Sequence, residues 1–210
     1  MPKTENFFYK LLAKQFDVRL VDWPDLLIYS AQGSNRHRLY TCKKAYYSFE
    51  KYQPDFRQCD FAFTCNYLDD PRHYRLPIYV HYCKGGAESI VKRHDDLRQI
   101  MAQKTKFCAL VTGNTRTPTT RTRTEFFHRL CNYKKVDSGG TALNNLGYQV
   151  PWGGKLDFLK PYKFCFAFEN VSSPGYTTEK LFEAMQARCV RLYWGDSRVR
   201  EEFNPASFLN

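Results

Sequence analysis

The sequence lacks the glycine-rich loops with which many nucleotide-binding proteins hold phosphate. Neither a G-x-G-x-x-G dinucleotide fingerprint nor a G-x-x-x-x-G-K-[ST] phosphate loop occurs in its 210 residues. Its longest apolar runs have the length of a β-strand and its start has no signal-peptide core, so we expect neither a membrane-spanning helix nor a secretory leader. Internal repeats and low-complexity segments are missing as well, which excludes solenoid and disordered classes of protein.

Paired cysteine motifs are also missing, although the chain has eight cysteines. No two of them form a C-x-x-C pair, and several lie in apolar stretches such as residues 59–65 and 163–169. This placement is typical of free, buried thiols in a reducing compartment rather than of a disulfide framework, although the even number leaves disulfides open. With no D-x-D motif and no His/Asp cluster at ligand spacing, the sequence predicts no metal site.

Acidic residues are too few to balance the basic ones, so that 32 Lys and Arg against 21 Asp and Glu leave a net charge of +11. Such a charge indicates an anionic partner, and nucleic acid, an anionic membrane surface and a phosphorylated substrate all qualify. The basic residues are scattered apart from a concentration in residues 116–129, and no RNA-binding motif occurs. Nucleic-acid binding, which would weaken steeply with salt, is therefore the less favoured alternative.

Strand and helix signals alternate along the chain, which predicts an α/β fold with parallel sheets covered by helices. The predicted helices span residues 6–16, 95–104, 122–133 and 178–188. The predicted strands span residues 17–21, 25–30, 45–49, 59–65, 78–83, 107–113, 163–169 and 189–195, and a further strand starts near residue 207. A change of character near residue 104 predicts two Rossmann-like units, residues 1–104 and 105–210, facing a cleft with ligands at the carboxyl ends of the strands.

One stretch, residues 164–190, contains the clearest sign of a binding site. A buried strand runs into the polar turn at Glu169 and Asn170, and the helix that follows carries Lys180 in its first turn. A helix N-terminus carries partial positive charge and exposes backbone N–H groups, so a lysine there is favourable only beside an anion such as phosphate. On spacing alone, a solvated lysine offset by Glu179 is the commoner outcome.

The same stretch carries a resemblance to a known family. FAFEN, GYTTEKLFEA, CVRLYWG and FNPASF closely resemble the donor-binding signature of the α-(1,3/4)-fucosyltransferases. PDLLIYS, PDFRQCDFAF and LDDPRHYRLPIYV resemble the amino-terminal half of the bacterial members, and FCALVTGN and VDSGG resemble their central part. The resemblance covers almost the whole chain. It implies a GT-B-like glycosyltransferase without its first strand and carboxyl-terminal region, the second unit being incomplete.

The resemblance also implies roles for five residues of the donor site. Lys180 and Arg123 match the residues that neutralise the donor diphosphate, and a guanidinium fork suits phosphate oxygens. Glu179 matches a carboxylate that accepts hydrogen bonds from the nucleotide ribose, and Asn170 and Tyr176 match residues that line the donor pocket. The alternatives from the residues alone are an exposed helix position for Arg123, turn chemistry for Asn170 and a packed aromatic ring for Tyr176.

Glu50 is the residue that matches the family's catalytic base. It stands in YYSFEKYQPDF at the end of a predicted apolar strand, followed in register by Pro54, Asp55 and Phe56. Glycine and asparagine flank this glutamate in the family, whereas Phe49 and Lys51 flank it here. The alternative for Glu50 is a surface glutamate paired with Lys51.

These residues imply an inverting transfer of L-fucose from GDP-β-L-fucose to a hydroxyl of N-acetylglucosamine in a lactosamine-type glycan. In that reaction the two cations neutralise the leaving diphosphate, and Glu50 takes the acceptor proton. No cofactor is required, and a divalent ion that assists product release stays open without an identified site. The implied partners are GDP-fucose and the saccharide acceptor, with a cytoplasmic location and peripheral contact with the membrane, where lipid-linked saccharides such as lipopolysaccharide precursors would be acceptors.

Two further alternatives remain at this point. A GDP-sugar-binding module without catalysis is favoured by the expected missing segments and by the altered neighbours of Glu50. A glycosyltransferase that uses another nucleotide sugar would share the same physics, and competition between donors would distinguish it.

Overall fold

The alternation of apolar runs and helical segments produces two separate parallel sheets. The structure, a computed structural model, describes residues 3–32, 34–82, 85–91, 96–115 and 120–210. The chain divides into a first unit, Met1–Thr64 with Leu68–Leu76, and a second unit, Cys65–Tyr67 with Pro77–Asn210. The second unit thus includes residues 77–104, and the domain boundary near residue 104 stays a prediction.

The first unit is a four-stranded parallel sheet. Its strands are β1 (Leu26–Ser30), β2 (Lys43–Ser48), β3 (Phe61–Thr64) and β4 (His73–Arg75), which lie in the order β1-β2-β3-β4. The helix α1 (Phe7–Leu12) starts where the Asn6 side chain accepts a hydrogen bond from the backbone N–H of Phe8. The Phe8 ring packs against Tyr47 and Phe63, with ring centroids 5.0 and 5.5 Å away, and so attaches the helix to the sheet.

The second unit is a five-stranded parallel sheet with helices on both faces. Its strands are β5 (Lys106–Leu110), β6 (Val136–Ser138), β7 (Tyr162–Phe168), β8 (Val190–Trp194) and β9 (Phe208–Leu209), in the order β6-β5-β7-β8-β9. Its helices are α2 (Ile78–Tyr82), α3 (Leu97–Gln103), α4 (Arg121–Tyr133), α5 (Lys155–Leu159) and α6 (Glu179–Gln186). The predicted α/β class with parallel sheets is confirmed.

The central strand β7 explains why both faces of this sheet are apolar. Phe166 and Phe168 belong to one buried cluster together with Phe127 of α4. Cys165 and Ala167 belong to a second buried cluster, which contains the apolar residues of α6. Because successive side chains of a strand point to opposite faces, a strand covered on both sides reads as a continuous apolar run.

Two sequence-based assignments are wrong. Residues 17–21 form no strand, and most of their side chains are exposed, because no neighbouring strand pairs with them. Residues 78–83 were predicted as a strand, but Ile78–Tyr82 form α2; Cys83 lies outside the described residues. Pro77 directly precedes this helix, as is common at helix starts, and Tyr79 stacks at 6.0 Å on Phe182 of α6.

Most of the described cysteines are free and buried, and two, Cys42 and Cys131, are partly exposed. Seven are free thiols, and five of these are buried: Cys59, Cys65, Cys108, Cys165 and Cys189. Within the described ranges no helix is both long and apolar enough to span a bilayer. In the same ranges no three His, Cys, Asp or Glu side chains are grouped so that they could hold a metal ion.

Candidate functional site

The carboxyl edge of the second sheet is where polar side chains collect. β7 and β8 are hydrogen-bonded neighbours, and each ends in a polar turn, at Glu169 after β7 and at Asp196 after β8. The carboxyl ends of parallel strands meet at one edge, where α/β proteins bind their ligands.

Glu169 joins the end of β7 to the start of α6. Its side chain has no exposed surface, and it accepts hydrogen bonds from the backbone N–H of Thr178 at 2.7 Å and from the Thr178 hydroxyl at 2.6 Å. Thr178 is the N-cap residue of α6. The buried carboxylate therefore fixes where the helix N-terminus lies relative to the strand.

Lys180 adds an ammonium group to this contact. Its Nζ lies 2.9 Å from the Thr178 hydroxyl, 3.3 Å from a carboxylate oxygen of Glu169 and 3.6 Å from one of Glu179. Its side chain is only 17% exposed, so Lys180 is not a solvated surface lysine, although Glu179 does lie beside it as that alternative expected. The ammonium thus lies at the N-terminus of α6, where the helix dipole also favours an anion, with the carboxylates of Glu169 and Glu179 beside it.

The pKa values of Glu169 and Glu179 are shifted in opposite directions. Burial raises the pKa of Glu169, although the Lys180 charge and the Thr178 hydrogen bonds oppose that shift. Burial also acts to raise the pKa of Glu179, but the charges of Lys180 and Lys155 outweigh it, so that its pKa is lowered. Glu179 is therefore the more readily ionised of the two and suits a role as hydrogen-bond acceptor.

Asp196 holds the turn that precedes α6. Its carboxylate accepts hydrogen bonds from the backbone N–H of Gly175 at 2.9 Å and from the Thr177 hydroxyl at 3.0 Å. Its own backbone N–H donates to the Tyr193 hydroxyl at 2.9 Å. Tyr176, in the middle of this turn, is buried, as either a pocket residue or a packed aromatic ring would be.

Two glycines are required by the close packing around these turns. Gly175 has a φ of +84°, and a Cβ added there would lie 2.3 Å from the carbonyl oxygen of Cys65. A Cβ on Gly195 would lie 2.5 Å from Cγ of Glu169. Side chains at these two positions would displace the turn or the buried carboxylate.

Arg123 approaches the same edge from α4. It is 1% exposed, and it donates to the carbonyl of Phe168 at 3.2 Å, to the side-chain oxygen of Asn170 at 3.2 Å and to the carbonyl of Asn114. Burial lowers the pKa of Arg123, with Glu169 and Tyr176 opposing the shift. The alternative of an exposed helix residue is therefore wrong for Arg123.

All three hydrogen-bond acceptors of Arg123 are neutral oxygens, and its Nε has no acceptor among the described residues. A cation that is buried without a hydrogen-bonded anion is unfavourable until an anion arrives. Residues 116–119, which precede α4 and contain part of the predicted basic concentration, lie outside the described residues.

The structure thus places Arg123 beside Asn170, and Lys180 beside Glu179, at the carboxyl edge of one sheet. Their roles in donor binding stay predictions. Sequence reasoning missed Glu169 and Asp196 as parts of the site. The signal for Glu169 was a lone acid directly after five apolar residues of a strand, which was interpreted as an ordinary turn.

Glu50 belongs to the first unit and follows the carboxyl end of β2, as predicted. Its side chain is exposed, and the Ser48 hydroxyl bonds to both its carbonyl at 3.1 Å and its N–H at 3.2 Å. A pocket of about 200 Å³ lies by the ends of β1 and β2. Its lining includes Tyr29, His37, Arg38, Gln53 and Asp55.

Comparison with known proteins matches two family models to successive parts of the chain. Residues 1–82 match the model of the alpha-(1,3)-fucosyltransferase FucT N-terminal domain, and residues 101–210 match that of glycosyltransferase family 10 (fucosyltransferase) C-term. The chain belongs to glycosyltransferase family 10, the fucosyltransferases. The resemblance stated from the sequence is confirmed.

Individual relatives agree with this assignment. The chain is 29% identical over 241 aligned positions to the alpha-(1,3)-fucosyltransferase FucT of Helicobacter pylori. This alignment covers 98% of the chain and 49% of that relative. It is 35% identical over 113 positions to the 4-galactosyl-N-acetylglucosaminide 3-alpha-L-fucosyltransferase FUT6 of Pongo pygmaeus, covering 52% of the chain and 30% of the relative. The chain thus spans about half the length of the bacterial relative.

Solved structures of family members resemble this chain along most of its length. One is the crystal structure of an alpha1,3-fucosyltransferase, which superposes with a TM-score of 0.79 at 25% identity. The superposition covers 98% of this chain and 67% of that one. A crystal structure of an alpha1,3-fucosyltransferase with GDP-fucose covers 89% of this chain and 60% of that one, at 27% identity and a TM-score of 0.69.

Proposed function

We propose that this chain transfers L-fucose from GDP-β-L-fucose to a hydroxyl of N-acetylglucosamine in a lactosamine-type glycan, with inversion at the anomeric carbon. Membership of the fucosyltransferase family supports the transfer, and a similar structure that holds GDP-fucose supports the donor. The acceptor class is that of the galactosyl-N-acetylglucosaminide fucosyltransferases to which the chain is similar.

The observation that carries the proposal is the pair of sequestered cations at the carboxyl edge of the second sheet. Arg123 is buried and has only neutral hydrogen-bond acceptors within the described ranges, and Lys180 is held at the N-terminus of α6. A nucleoside diphosphate supplies the negative charge that both positions favour. Asn170 and Tyr176 would line the donor pocket, and Glu179 would accept hydrogen bonds from the nucleotide ribose.

The reaction follows from how charge moves. The bond between the anomeric carbon and the diphosphate oxygen breaks while the acceptor oxygen bonds to the same carbon from the opposite face. The electron pair goes to the diphosphate, where Lys180 and Arg123 neutralise the developing charge. We assign Glu50 as the base that takes the acceptor proton, the role of the single carboxylate in an inverting displacement.

The proposed displacement requires no bound cofactor, because Lys180 and Arg123 neutralise the developing charge. A divalent ion that assists product release has no identified site among the described residues. A location in the cytoplasm with peripheral contact at the membrane is part of the proposal. The net charge of +11 supports it, since basic surfaces are attracted to anionic lipid headgroups. A lipid-linked saccharide at that surface would then be the acceptor.

The direct test incubates the purified chain with GDP-fucose and N-acetyllactosamine and detects the product by mass spectrometry. We expect a fucosylated acceptor and free GDP. Donor binding without product would instead identify a GDP-sugar-binding module without catalysis. A folded chain that neither binds the donor nor forms product would overturn the proposal.

A further inference from the structure

The buried carboxylate of Glu169 fixes the N-terminus of α6 but takes no part in the proposed reaction. It is the fully buried charged group between β7 and α6, and it is in direct contact with Lys180. Burying a carboxylate is costly unless several donors surround it. Here three donors do so: the N–H and hydroxyl of Thr178 and the ammonium of Lys180.

The packing leaves this carboxylate little freedom to move. Gly195 lies so close that a Cβ there would be 2.5 Å from Cγ and 2.9 Å from Cβ of Glu169. Thr178 donates two hydrogen bonds to this carboxylate and is itself fixed as the N-cap of α6. Glu169 is therefore held from both ends in one orientation.

The fixed Glu169 carboxylate in turn holds the ammonium of Lys180 in place. An ammonium has three N–H donors, and two of them are used by the Thr178 hydroxyl and by Glu169. Within the described part of the chain the third meets no acceptor at hydrogen-bond distance, since Glu179 lies at 3.6 Å. Two fixed donors orient the third, which is the one available to a ligand.

We propose that Glu169 is a positioning residue, which holds the Lys180 ammonium in the orientation that binds the diphosphate of the donor. The inference rests on the proposed function, because it presumes that Lys180 meets a diphosphate. A flexible lysine would lose its rotamer freedom each time it bound a ligand. The Lys180 side chain has already lost that freedom when the chain folds, because Glu169 and Thr178 hold its ammonium. The buried carboxylate thus lowers the cost of donor binding.

A double-mutant cycle with GDP as the ligand tests this role. The variants are Glu169→Gln, Lys180→Met and the double variant, and the measurement is the GDP dissociation constant by calorimetry. We expect Glu169→Gln to weaken GDP binding about tenfold when Lys180 is present and less than about twofold when methionine replaces it, because contacting residues are coupled. A carboxylate that merely supports the fold would weaken binding equally in both backgrounds.

Glu183→Gln is the matched control. Glu183 is another mostly buried glutamate of the same helix, paired at 2.6 Å with Lys155 rather than with Lys180. We expect its GDP affinity to stay within about twofold of that of the unaltered chain. Circular dichroism and thermal melting establish that each variant is folded.

Thr178→Val serves if Glu169→Gln fails to fold. Its isosteric side chain removes the hydroxyl that lies between Glu169 and Lys180. It should show the same dependence on Lys180. Equal effects in both backgrounds, or unchanged affinity in Glu169→Gln, would overturn the positioning role alone. A folded, unaltered chain that does not bind GDP would overturn the proposed function and this inference together.

Discussion

Lys180 is the residue whose side chain links the sequence motif most directly to binding. Lys180→Met removes the charge but keeps most of the apolar stem. We expect GDP binding to weaken about 10- to 100-fold, equivalent to the 1.5–3 kcal/mol typical of a hydrogen bond to a charged group. Isothermal titration calorimetry measures the change.

Lys160→Met is the control for that substitution. Lys160 lies in the same unit and pairs with Asp157 at 2.6 Å, but its side chain is 66% exposed and remote from the N-terminus of α6 in sequence. Its loss should leave GDP affinity unchanged. Equal weakening in both variants would mean that general charge, rather than the site at α6, attracts the ligand.

Glu50 is tested by separating binding from turnover. Glu50→Gln keeps the size of the side chain and removes its basicity, so we expect normal GDP-fucose affinity and a loss of turnover of about a hundredfold or more. The mass-spectrometric transfer assay and donor titration measure the two quantities on one preparation. Transfer at the unaltered rate would exclude Glu50 as the base.

Glu169 should make the free energy of unfolding depend on pH. Its pKa in the folded chain lies above the ordinary value of 4.5, so the folded state binds its proton more readily than the unfolded state. This contribution to stability is fully present below 4.5 and is lost as pH rises through the folded pKa. Glu169→Gln cannot lose a proton and lacks this dependence.

Urea denaturation from about pH 4 to about pH 8 measures the effect. The free energy of unfolding of Glu169→Gln, minus that of the unaltered chain, should rise with pH. A difference that stays flat or falls would show that burial does not raise the pKa of this carboxylate.

The residues of the site were predictable to different degrees. Lys180, Glu179 and Asn170 stand within a contiguous motif, and their positions follow from a strand, a turn and a helix start. Arg123 was predictable by resemblance, but its burial was not, because it depends on contacts with Phe168 and with a different loop. Glu169 was missed because local sequence does not show which turn acid is enclosed by distant residues.

At the level of elements, the end of β8 controls the shape of the site through Gly195. Gly195→Ala would place a Cβ against the inner atoms of Glu169, which cannot move aside as a flexible side-chain end could. We expect the free energy of unfolding to fall by about 1–3 kcal/mol, as for other overpacked positions, with GDP affinity falling as well.

Gly113→Ala is its control, measured in the same urea denaturation. An added Cβ at Gly113 would lie 3.2 Å from the Thr141 hydroxyl, a side-chain atom that is able to rotate away. We expect a change within about 0.5 kcal/mol. A Gly195→Ala variant as stable as this control would contradict the tight packing of Glu169.

Strands with a continuous apolar run, such as β5, β7 and β8, were predictable because both their faces are covered. The short strands β4 and β6 and the helix α5 were missed, since three to five residues carry too little periodicity. The helix α2 was misread because Ile78, Tyr79 and Val80 favour strands locally, whereas packing against α6 decides in favour of a helix.

For the whole molecule, the buried thiols report on global unfolding. Burial raises the pKa of Cys108 to about 12, and that of Cys165 is raised well above its ordinary value, so neither forms a reactive thiolate in the folded chain. Under native conditions, iodoacetamide should modify the partly exposed Cys42 and Cys131 first. The five buried cysteines should react only as denaturant unfolds the chain.

Peptide mass spectrometry after alkylation at increasing urea concentration checks this expectation. The buried thiols should become modified together, at the urea concentration where circular dichroism reports unfolding. Early modification of Cys108 or Cys165 in native buffer would show that the core of the second sheet opens locally.

The central claim is that the carboxyl edge of the second sheet binds a nucleoside diphosphate through its sequestered cations. The most direct measurement is a calorimetric titration of GDP into the unaltered chain, compared with a titration of guanosine. The account predicts that GDP binds and that guanosine binds at least about tenfold more weakly. The difference arises because only GDP carries the diphosphate that Lys180 and Arg123 would bind through charge-assisted hydrogen bonds. Equal affinity for both ligands, or no binding of GDP by a folded chain, would contradict it.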